Sequence, residues 1–503
     1  MAQPLSPIDT AIGWAVDGTI QPTFGSNAQL LDVERVEVLR GPQNTLFGRG
    51  AQGGAVNVVT NLASFDSEFS VNAEGGERGY VKVDGIANGT LAPDLLAGRL
   101  ALRFAHYGGD IDNVSAGGKD GETYIGAAQG SLLLTPNNRV TAVLRGYYED
   151  DRRDTPPFIL RGGPDFPASG VNPENDLDRR LANGSLEVTY DLDSLTLSST
   201  TSFHSNRQEF TSDLTDSLIA NSQTGFPPAF FDIENASVRN ATLEEQAYQQ
   251  EFRVSAPENA AVQWLVGTNI YYSDFDLHSD ERDITFDFNN SEVETSLNTL
   301  SYSAFGETTF PVLKPLSATL GLRVGRDEQD LDSTFVYTGP PNPLIVPRLS
   351  EDGRFTDNYI VGSAALSYAL SPDDNVYASV RRGHAPGGFA TLNRNQFFGE
   401  PQIARPASES WTYEIGSKLT FLGGRIRLDA AGFFNDVEDA AFIAFDPALF
   451  LSVPVALSYH SYGFELEGQA DLGAGFTLYA GVGMTEAEFV DVPSNNPAGA
   501  QDG

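Results

Sequence analysis

The chain has no cysteine, and only two of its 503 residues are methionine and five are histidine. Without cysteine there are no disulfides and no thiolate metal sites. The histidines are scattered, and no His-Glu-x-x-His pair, Gly-x-Ser-x-Gly motif or phosphate loop ending in Lys-Ser/Thr occurs. We therefore predict no metal site, no bound cofactor and no enzymatic activity.

Basic residues and long apolar runs are also scarce. Lys and Arg total 31 against 68 Asp and Glu, which gives a net charge of −37. Such a chain repels phosphates, so a nucleic-acid partner is excluded. No run reaches 18 consecutive apolar residues, so a transmembrane helix is not expected. The first nine residues contain neither the basic segment nor the apolar core of a signal peptide.

Glycine and aromatic residues, in contrast, are abundant, and from about residue 66 onward polar and apolar positions alternate. Leu100, Leu102 and Phe104 share one parity, whereas Ala101 and Arg103 take the other. One apolar and one polar face, repeated over strands of about ten residues, is typical of a membrane β-barrel. Soluble helical bundles do not show this pattern.

The connections between these segments alternate in length. Short turns are predicted at 91–98, 135–138, 191–194, 256–261, 311–316, 371–375, 422–424 and 471–475. Longer polar loops are predicted at 151–181, 208–241, 277–298, 330–355, 386–409 and 436–458. Short periplasmic turns and long extracellular loops are the expected asymmetry of an outer-membrane barrel. A soluble β-sandwich has no reason to separate its loops by length.

Residues 33–60 form the most distinctive run. Valine and leucine alternate with Glu34, Arg35, Glu37 and Arg40, which predicts a strand with one buried and one polar face. Proline cannot donate to a strand ladder, so the strand should end at the next residues. A glycine-rich turn and a short β-branched strand then follow. The break and the turn are formed by Gly41, Pro42, Gly48, Gly50, Gly53 and Gly54.

This run closely resembles the plug signature of TonB-dependent outer-membrane receptors, and later segments such as 377–383, 413–418 and 463–467 resemble the family's barrel strands in the same order. The resemblance covers nearly the whole chain. It implies an all-β membrane barrel, antiparallel and up-and-down, around an internal plug. Residues 1–64 would be the C-terminal part of a small α/β plug domain, and residues 65–503 the barrel.

Strand counting gives about 17 barrel strands, whereas plugged transporters have 22. An odd number would leave two unpaired edges, which lipid does not tolerate. We therefore expect the chain to be an internal fragment that lacks the early plug, the TonB-contact motif and about five last strands.

The resemblance implies an outer-membrane receptor of a Gram-negative bacterium that imports a scarce solute. The expected solute is a ferric siderophore, and the periplasmic TonB complex would relay the energy for its import. Outer-membrane lipid and lipopolysaccharide would surround it. Oligosaccharide, cobalamin or another nutrient is the alternative solute, and a passive porin or a secreted β-rich binding protein is the alternative class. By the same resemblance, Arg40 would pair with Glu414 and Glu465 in a plug–barrel ionic lock, and Phe24 would lie in the loop that contacts substrate.

Overall fold

The computed structural model describes residues 11–22, 30–154, 158–161, 166–172, 175–233, 236–283, 290–393, 395–446 and 451–492. Its N-terminal part is a four-stranded sheet, here called the plug sheet, with the strand order β2-β1-β4-β3. Strands β1 and β4 are parallel and the other neighbours antiparallel. The elements are β1 Ile12–Val16, β2 Thr19–Ile20, β3 Val33–Arg40, α1 Asn44–Phe47 and β4 Gly54–Thr60.

The rest of the chain forms one large sheet, here called the wall. Its strands are β5 Glu68–Gly75, β6 Val81–Ala92, β7 Leu96–Asn113, β8 Lys119–Asn137, β9 Val140–Asp154, β10 Ala168–Ser169, β11 Asp176–Asp191, β12 Thr196–Asp213, β13 Ser237–Ser255, β14 Gln263–Asp283, β15 Ser291–Leu313, β16 Leu316–Tyr337, β17 Arg348–Ala369, β18 Asn375–Ala385, β19 Ser408–Phe421, β20 Ile426–Asp446, β21 Leu451–Gly473 and β22 Phe476–Val490. Helix α2 is Ser217–Thr224, and single 3-10 turns occur at Pro228–Phe230 and Gln396–Phe398.

The wall is an up-and-down antiparallel sheet. Each long strand pairs with the next one along the chain, and β9 pairs directly with β11. The two-residue β10 instead adds to β7 in a parallel pairing, so 17 long strands are present in the described part, as the sequence predicts. The wall curls around the plug sheet but is not closed in the described residues. Its end strands β5 and β22 are exposed along almost their whole length.

Side chains alternate between the concave and the outer face of the wall. On β7, Ala97 and Ala101 face inward and are fully buried, whereas Leu100, Leu102 and Phe104 are about half exposed on the outside. Leucine, valine, isoleucine and aromatic residues continue this exposed band on the later strands. A contiguous apolar surface of this size marks contact with a membrane. No helix in the described residues is long and apolar enough to cross one.

The strands are much longer than the sequence predicts. Strand β15 has 23 residues, which is about 75 Å of extended chain, whereas about ten residues cross a bilayer. Most of the predicted polar loops at 277–298, 330–355 and 436–458 are therefore strand. These polar segments are strand ends that project into water beyond the membrane. In the sequence pattern, such polar strand ends look like loops.

Strand β3 forms where predicted, but its predicted buried face is wrong. Val38 is 66 % exposed and Val36 is 46 % exposed. The reason is position, because β3 is the edge strand of a small sheet, and its residues are at most half-buried.

Candidate functional site at the plug–barrel interface

One side of the plug sheet contacts the wall through Arg40, the last residue of β3. Its guanidinium donates hydrogen bonds to the carboxylates of Glu465 and Glu467 on β21. Arg381 of β18 donates to the Arg40 carbonyl at 3.0 Å. The Arg40 side chain is 56 % exposed. The hydrogen bond with Glu467, and then the charge of Glu465, raise the pKa of Arg40, so this contact is ionic and reached by water.

Of the two predicted carboxylate partners, the structure joins only Glu465 to Arg40. Glu414 lies on β19 and lines the same cavity, together with Tyr377. Strand β20 separates β19 from β21, a spacing of about 10 Å. Glu467 shares a parity with Glu465, so it lies on the same face and within reach of the second arm of the guanidinium.

The other charged residues of the β3 signature contact each other rather than the wall. Arg35 binds Glu34 at 3.0 Å and Glu37 at 2.8 Å. Glu37 also accepts a hydrogen bond from Asn57 on β4 at 2.9 Å. This bond, followed by the one from Arg35, holds the pKa of Glu37 below its usual value. These residues therefore stabilise the plug sheet itself.

The glycines of the signature provide backbone conformations and space. Gly48 has φ 73°, and a Cβ there would lie 2.6 Å from the guanidinium of Arg323 on β16. Gly54 has φ 156°, and its Cβ would lie 2.6 Å from the Leu39 carbonyl. A larger residue at the first position would adopt a strained positive φ and displace the Arg323 guanidinium, and one at the second would break the β3–β4 pairing. The remaining positions are Gly41 with φ 68°, Pro42 before α1, Gly50 with φ 72°, and Gly53, whose N–H donates to Ala11.

The opposite side of the plug contacts the wall through buried ion pairs. Asp32, just before β3, accepts two hydrogen bonds from Arg99 on β7, at 2.6 and 2.7 Å. The two side chains are 3 % and 7 % exposed. Asn61 donates a further hydrogen bond to Asp32 at 3.0 Å, and Arg99 also binds Glu68 at 2.7 Å.

A second buried contact on this side involves Asp17, in the turn between β1 and β2. Its carboxylate accepts hydrogen bonds from the N–H and the hydroxyl of Thr60, both at 2.8 Å. The guanidinium of Arg145 on β9 is 3.5 Å away. Burial is the largest effect and raises the pKa of Asp17 despite these partners.

Sequence reasoning did not identify these buried pairs. Asp32 and Arg99 are 67 positions apart and belong to no motif, and each resembles an ordinary charged residue of a strand end or a polar strand face. Phe24, the predicted substrate contact, lies outside the described residues.

These features define a class of protein. An antiparallel wall with an apolar outer band curls around a small sheet, and polar side chains connect the two. This is the architecture of a plugged outer-membrane barrel.

The chain belongs to the TonB dependent receptor-like, beta-barrel family, whose model matches residues 126–501. Members of this family are transport receptors of the Gram-negative outer membrane. The chain is 24 % identical to the pesticin receptor of Yersinia enterocolitica over 486 residues, which cover 96 % of this chain and 67 % of the relative. It is 21 % identical to the catecholate siderophore receptor Fiu of Escherichia coli strain K12, over 86 % of this chain and 62 % of that protein. The chain thus spans about two thirds of the length of these curated relatives.

Solved structures show the same fold. The ferric yersiniabactin uptake receptor FyuA from Yersinia pestis superposes with a TM-score of 0.80 at 20 % identity, covering 96 % of this chain and 71 % of FyuA. The siderophore receptor PiuA from Acinetobacter baumannii gives a TM-score of 0.73 at 16 % identity, covering 96 % and 72 % of the two chains.

Proposed function

We propose that the protein binds a ferric siderophore at its extracellular side and releases it into the periplasm, with TonB relaying the energy of the proton-motive force. Residues 1–64 would act as plug and residues 65–503 as barrel, with the exposed apolar band against outer-membrane lipid and lipopolysaccharide. The chain would carry out transport and no covalent chemistry on its solute. The named relatives support this solute class, since they are siderophore receptors.

The observation that carries the proposal is the set of charged contacts between plug and wall, which lie beside a small apolar cluster where Leu31 of the plug packs with Ala101 and Ala127. Arg40 with Glu465 and Glu467, Asp32 with Arg99, and Asp17 with Arg145 are contacts that water can replace. An apolar interface would resist separation, because exposing it to water costs free energy in proportion to its area. A plug that must move during each transport cycle therefore needs polar contacts with the wall. Glu414, which lines the Arg40 cavity, stays a predicted member of the lock.

The test is uptake by the complete gene product that contains this chain, in the outer membrane of a host that lacks its own siderophore receptors. Growth on a panel of iron-loaded catecholate, hydroxamate and phenolate siderophores is compared in hosts with and without TonB. We expect growth on at least one class, abolished without TonB. Growth that does not need TonB would indicate a passive porin. Uptake of cobalamin or an oligosaccharide, with none of any siderophore, would contradict the solute class but retain the transport mechanism.

A further inference from the structure

The connection between β18 and β19 folds onto the concave face of the wall. We call its described residues, 386–393 and 395–407, the lumen loop. Phe389 is buried in a cluster with inward-facing leucine and phenylalanine side chains of β12 to β16. Leu392 and Phe397 pack against a second cluster that contains Phe335 and Ile345, and the Phe335 and Phe397 rings meet edge to face at 5.0 Å. The loop therefore occupies space above the plug instead of extending into solvent.

Polar contacts fix the body of this loop to strands β16 and β17. The Phe389 N–H donates to Gln329 at 3.0 Å. The Glu351 carboxylate accepts from the Gln402 N–H at 2.7 Å and from the Asn393 side chain at 3.2 Å. These contacts, all within the described residues, attach the body of the lumen loop to the wall.

The two stems of the lumen loop are held by the plug as well as by the wall, where His384 Nε2 lies 2.7 Å from the Asp357 carboxylate and the Ser408 hydroxyl donates to the Glu438 carbonyl at 2.8 Å. At the first stem, the Asn44 side chain accepts a hydrogen bond from the His384 N–H at 3.0 Å and donates to the His384 carbonyl at 2.8 Å. At the second stem, the Gln52 side chain donates to the Ser408 hydroxyl at 2.9 Å. All four residues of these two plug contacts are at least nine-tenths buried. His384 pairs with Glu409 and Ser408 with Ala385 across the β18–β19 ladder, so the two plug residues hold adjacent positions of one unit.

The geometry of these contacts is specific to the residue types. An amide side chain offers both donors and an acceptor, so Asn44 pairs with the His384 main chain as an adjacent strand would. Gly383 provides the space, because a Cβ there would lie 3.1 Å from the Gln52 carbonyl and 2.5 Å from the Ser410 hydroxyl. Asn44 also donates to the Gly48 carbonyl at 2.8 Å, which ties its position to the glycine turn of the plug.

We propose that Asn44 and Gln52 are positioning residues that couple the plug to the lumen loop, so that a shift of the plug releases both loop stems together. The purpose of this coupling rests on the proposed transport function, whereas the coupling itself does not. A contact that exists in only one plug position links the free energies of the two elements, and the linkage is reciprocal. The wall contacts of the loop body would keep the released loop attached.

The test is hydrogen exchange of the full chain in detergent without solute, so that a negative result here leaves the uptake test unaffected. The stems are closed by a bridge in which Gly388 and Arg405 exchange N–H to carbonyl hydrogen bonds at 2.9 and 3.0 Å. In the variant Asn44→Ala/Gln52→Ala, we expect these two amides to exchange about tenfold faster or more, because buried partners are lost. Amides of α2, in a different connection, should keep their rates. Asn44→Asp and Gln52→Glu preserve size but lose the donor, and they serve if the alanine variant does not fold.

The matched control is Asn57→Ala, because Asn57 is also a buried plug amide but bonds only within the plug, to Gly18 and Glu37. Faster stem exchange in the Asn44 and Gln52 variants but not in this control would support the coupling. By reciprocity, Glu351→Ala in the loop anchor should speed exchange in the plug segment 44–54. Unchanged stem exchange, or equal acceleration in Asn57→Ala, would overturn the proposal, since the loop would then respond to general plug stability or not at all.

Discussion

The two sides of the plug are connected to the wall by ion pairs of opposite character. On the β21 side, Arg40 contacts Glu465 and Glu467 with more than half of its side chain exposed. On the β7 side, Asp32 and Arg99 form a two-point contact that is almost fully buried. We call the Arg40 contact the exposed joint and the Asp32–Arg99 contact the buried joint. Both are charged, so composition does not distinguish them. Their burial does.

Burial determines what each joint does when it is broken. Exposed pairs are screened by water and salt, and each contributes about 1 kcal/mol or less. Removing one member of a buried pair leaves an uncompensated charge in a poorly solvated place, at a cost of about 3–5 kcal/mol. We infer that the β7 side fixes the resting position of the plug, whereas the β21 side separates first.

The largest effect is expected from the buried joint. Arg99→Leu should lower the free energy of unfolding of the plug by about 3 kcal/mol or more, because the Asp32 carboxylate loses two charged hydrogen bonds. The measurement is urea unfolding followed by tryptophan fluorescence. The chain has three tryptophans, and replacing Trp264 and Trp411 by Phe leaves Trp14 of the plug sheet as the reporter.

The control for this prediction removes both charges. Asp32→Leu/Arg99→Leu should recover most of the loss, since no unpaired ion remains buried. A loss below about 1 kcal/mol for Arg99→Leu alone would contradict the comparison. Either Asn61, which also donates to Asp32, or water would then supply the hydrogen bonds that Arg99 provides.

The contrast between the joints also explains what the sequence could and could not predict. Alternating residues predicted the strands and their number, and a local motif pointed to Arg40 because its neighbours Gly41 and Pro42 mark the position. Asp32 and Arg99 meet only because β7 curls past the plug, and no local pattern records such a contact. The choice of Glu467 over Glu414 depends likewise on strand spacing across the folded wall.

The lumen loop was missed for a related reason. Residues 386–409 were predicted as a polar extracellular loop, yet Phe389, Leu392 and Phe397 pack into the concave side of the wall. Their apolar character was a usable signal, since exposed loops have little need of buried aromatic rings. Which surface they would cover depends on strands β12 to β17, which are distant in the chain.

An intermediate effect, smaller and salt-dependent, is expected from the exposed joint. Arg40→Ala should lower plug stability by about 1 kcal/mol or less. The difference should fall towards zero between about 0.1 M and 1 M salt, as the screening length shortens from about 10 Å to about 3 Å. The Arg99→Leu effect should change little over the same range.

Arg35→Ala is the control, because Arg35 lies on the same strand and, within the described residues, pairs with Glu34 and Glu37. An equal, equally screened loss in Arg35→Ala would show that the effect does not belong to the plug–wall contact.

The smallest effect is expected from Asp17, which is buried on the β7 side as Asp32 is but contacts its arginine with a different geometry. Its guanidinium partner Arg145 lies at 3.5 Å instead of making a two-point contact, and burial raises the pKa of Asp17 above the usual 3.8. The folded plug therefore binds this proton more tightly than the unfolded chain, so stability should increase as pH falls from neutral towards 4 and be lost as pH rises again. Relative to Asp17→Asn, the wild type should gain stability on that acidification, measured by the same Trp14 unfolding at each pH. A relative loss would instead mean that Arg145 and Thr60 outweigh burial. The Asp17–Arg145 contact would then stabilise the plug as the Asp32–Arg99 contact does. Burial alone would then be sufficient to identify the side of the plug that is held more strongly.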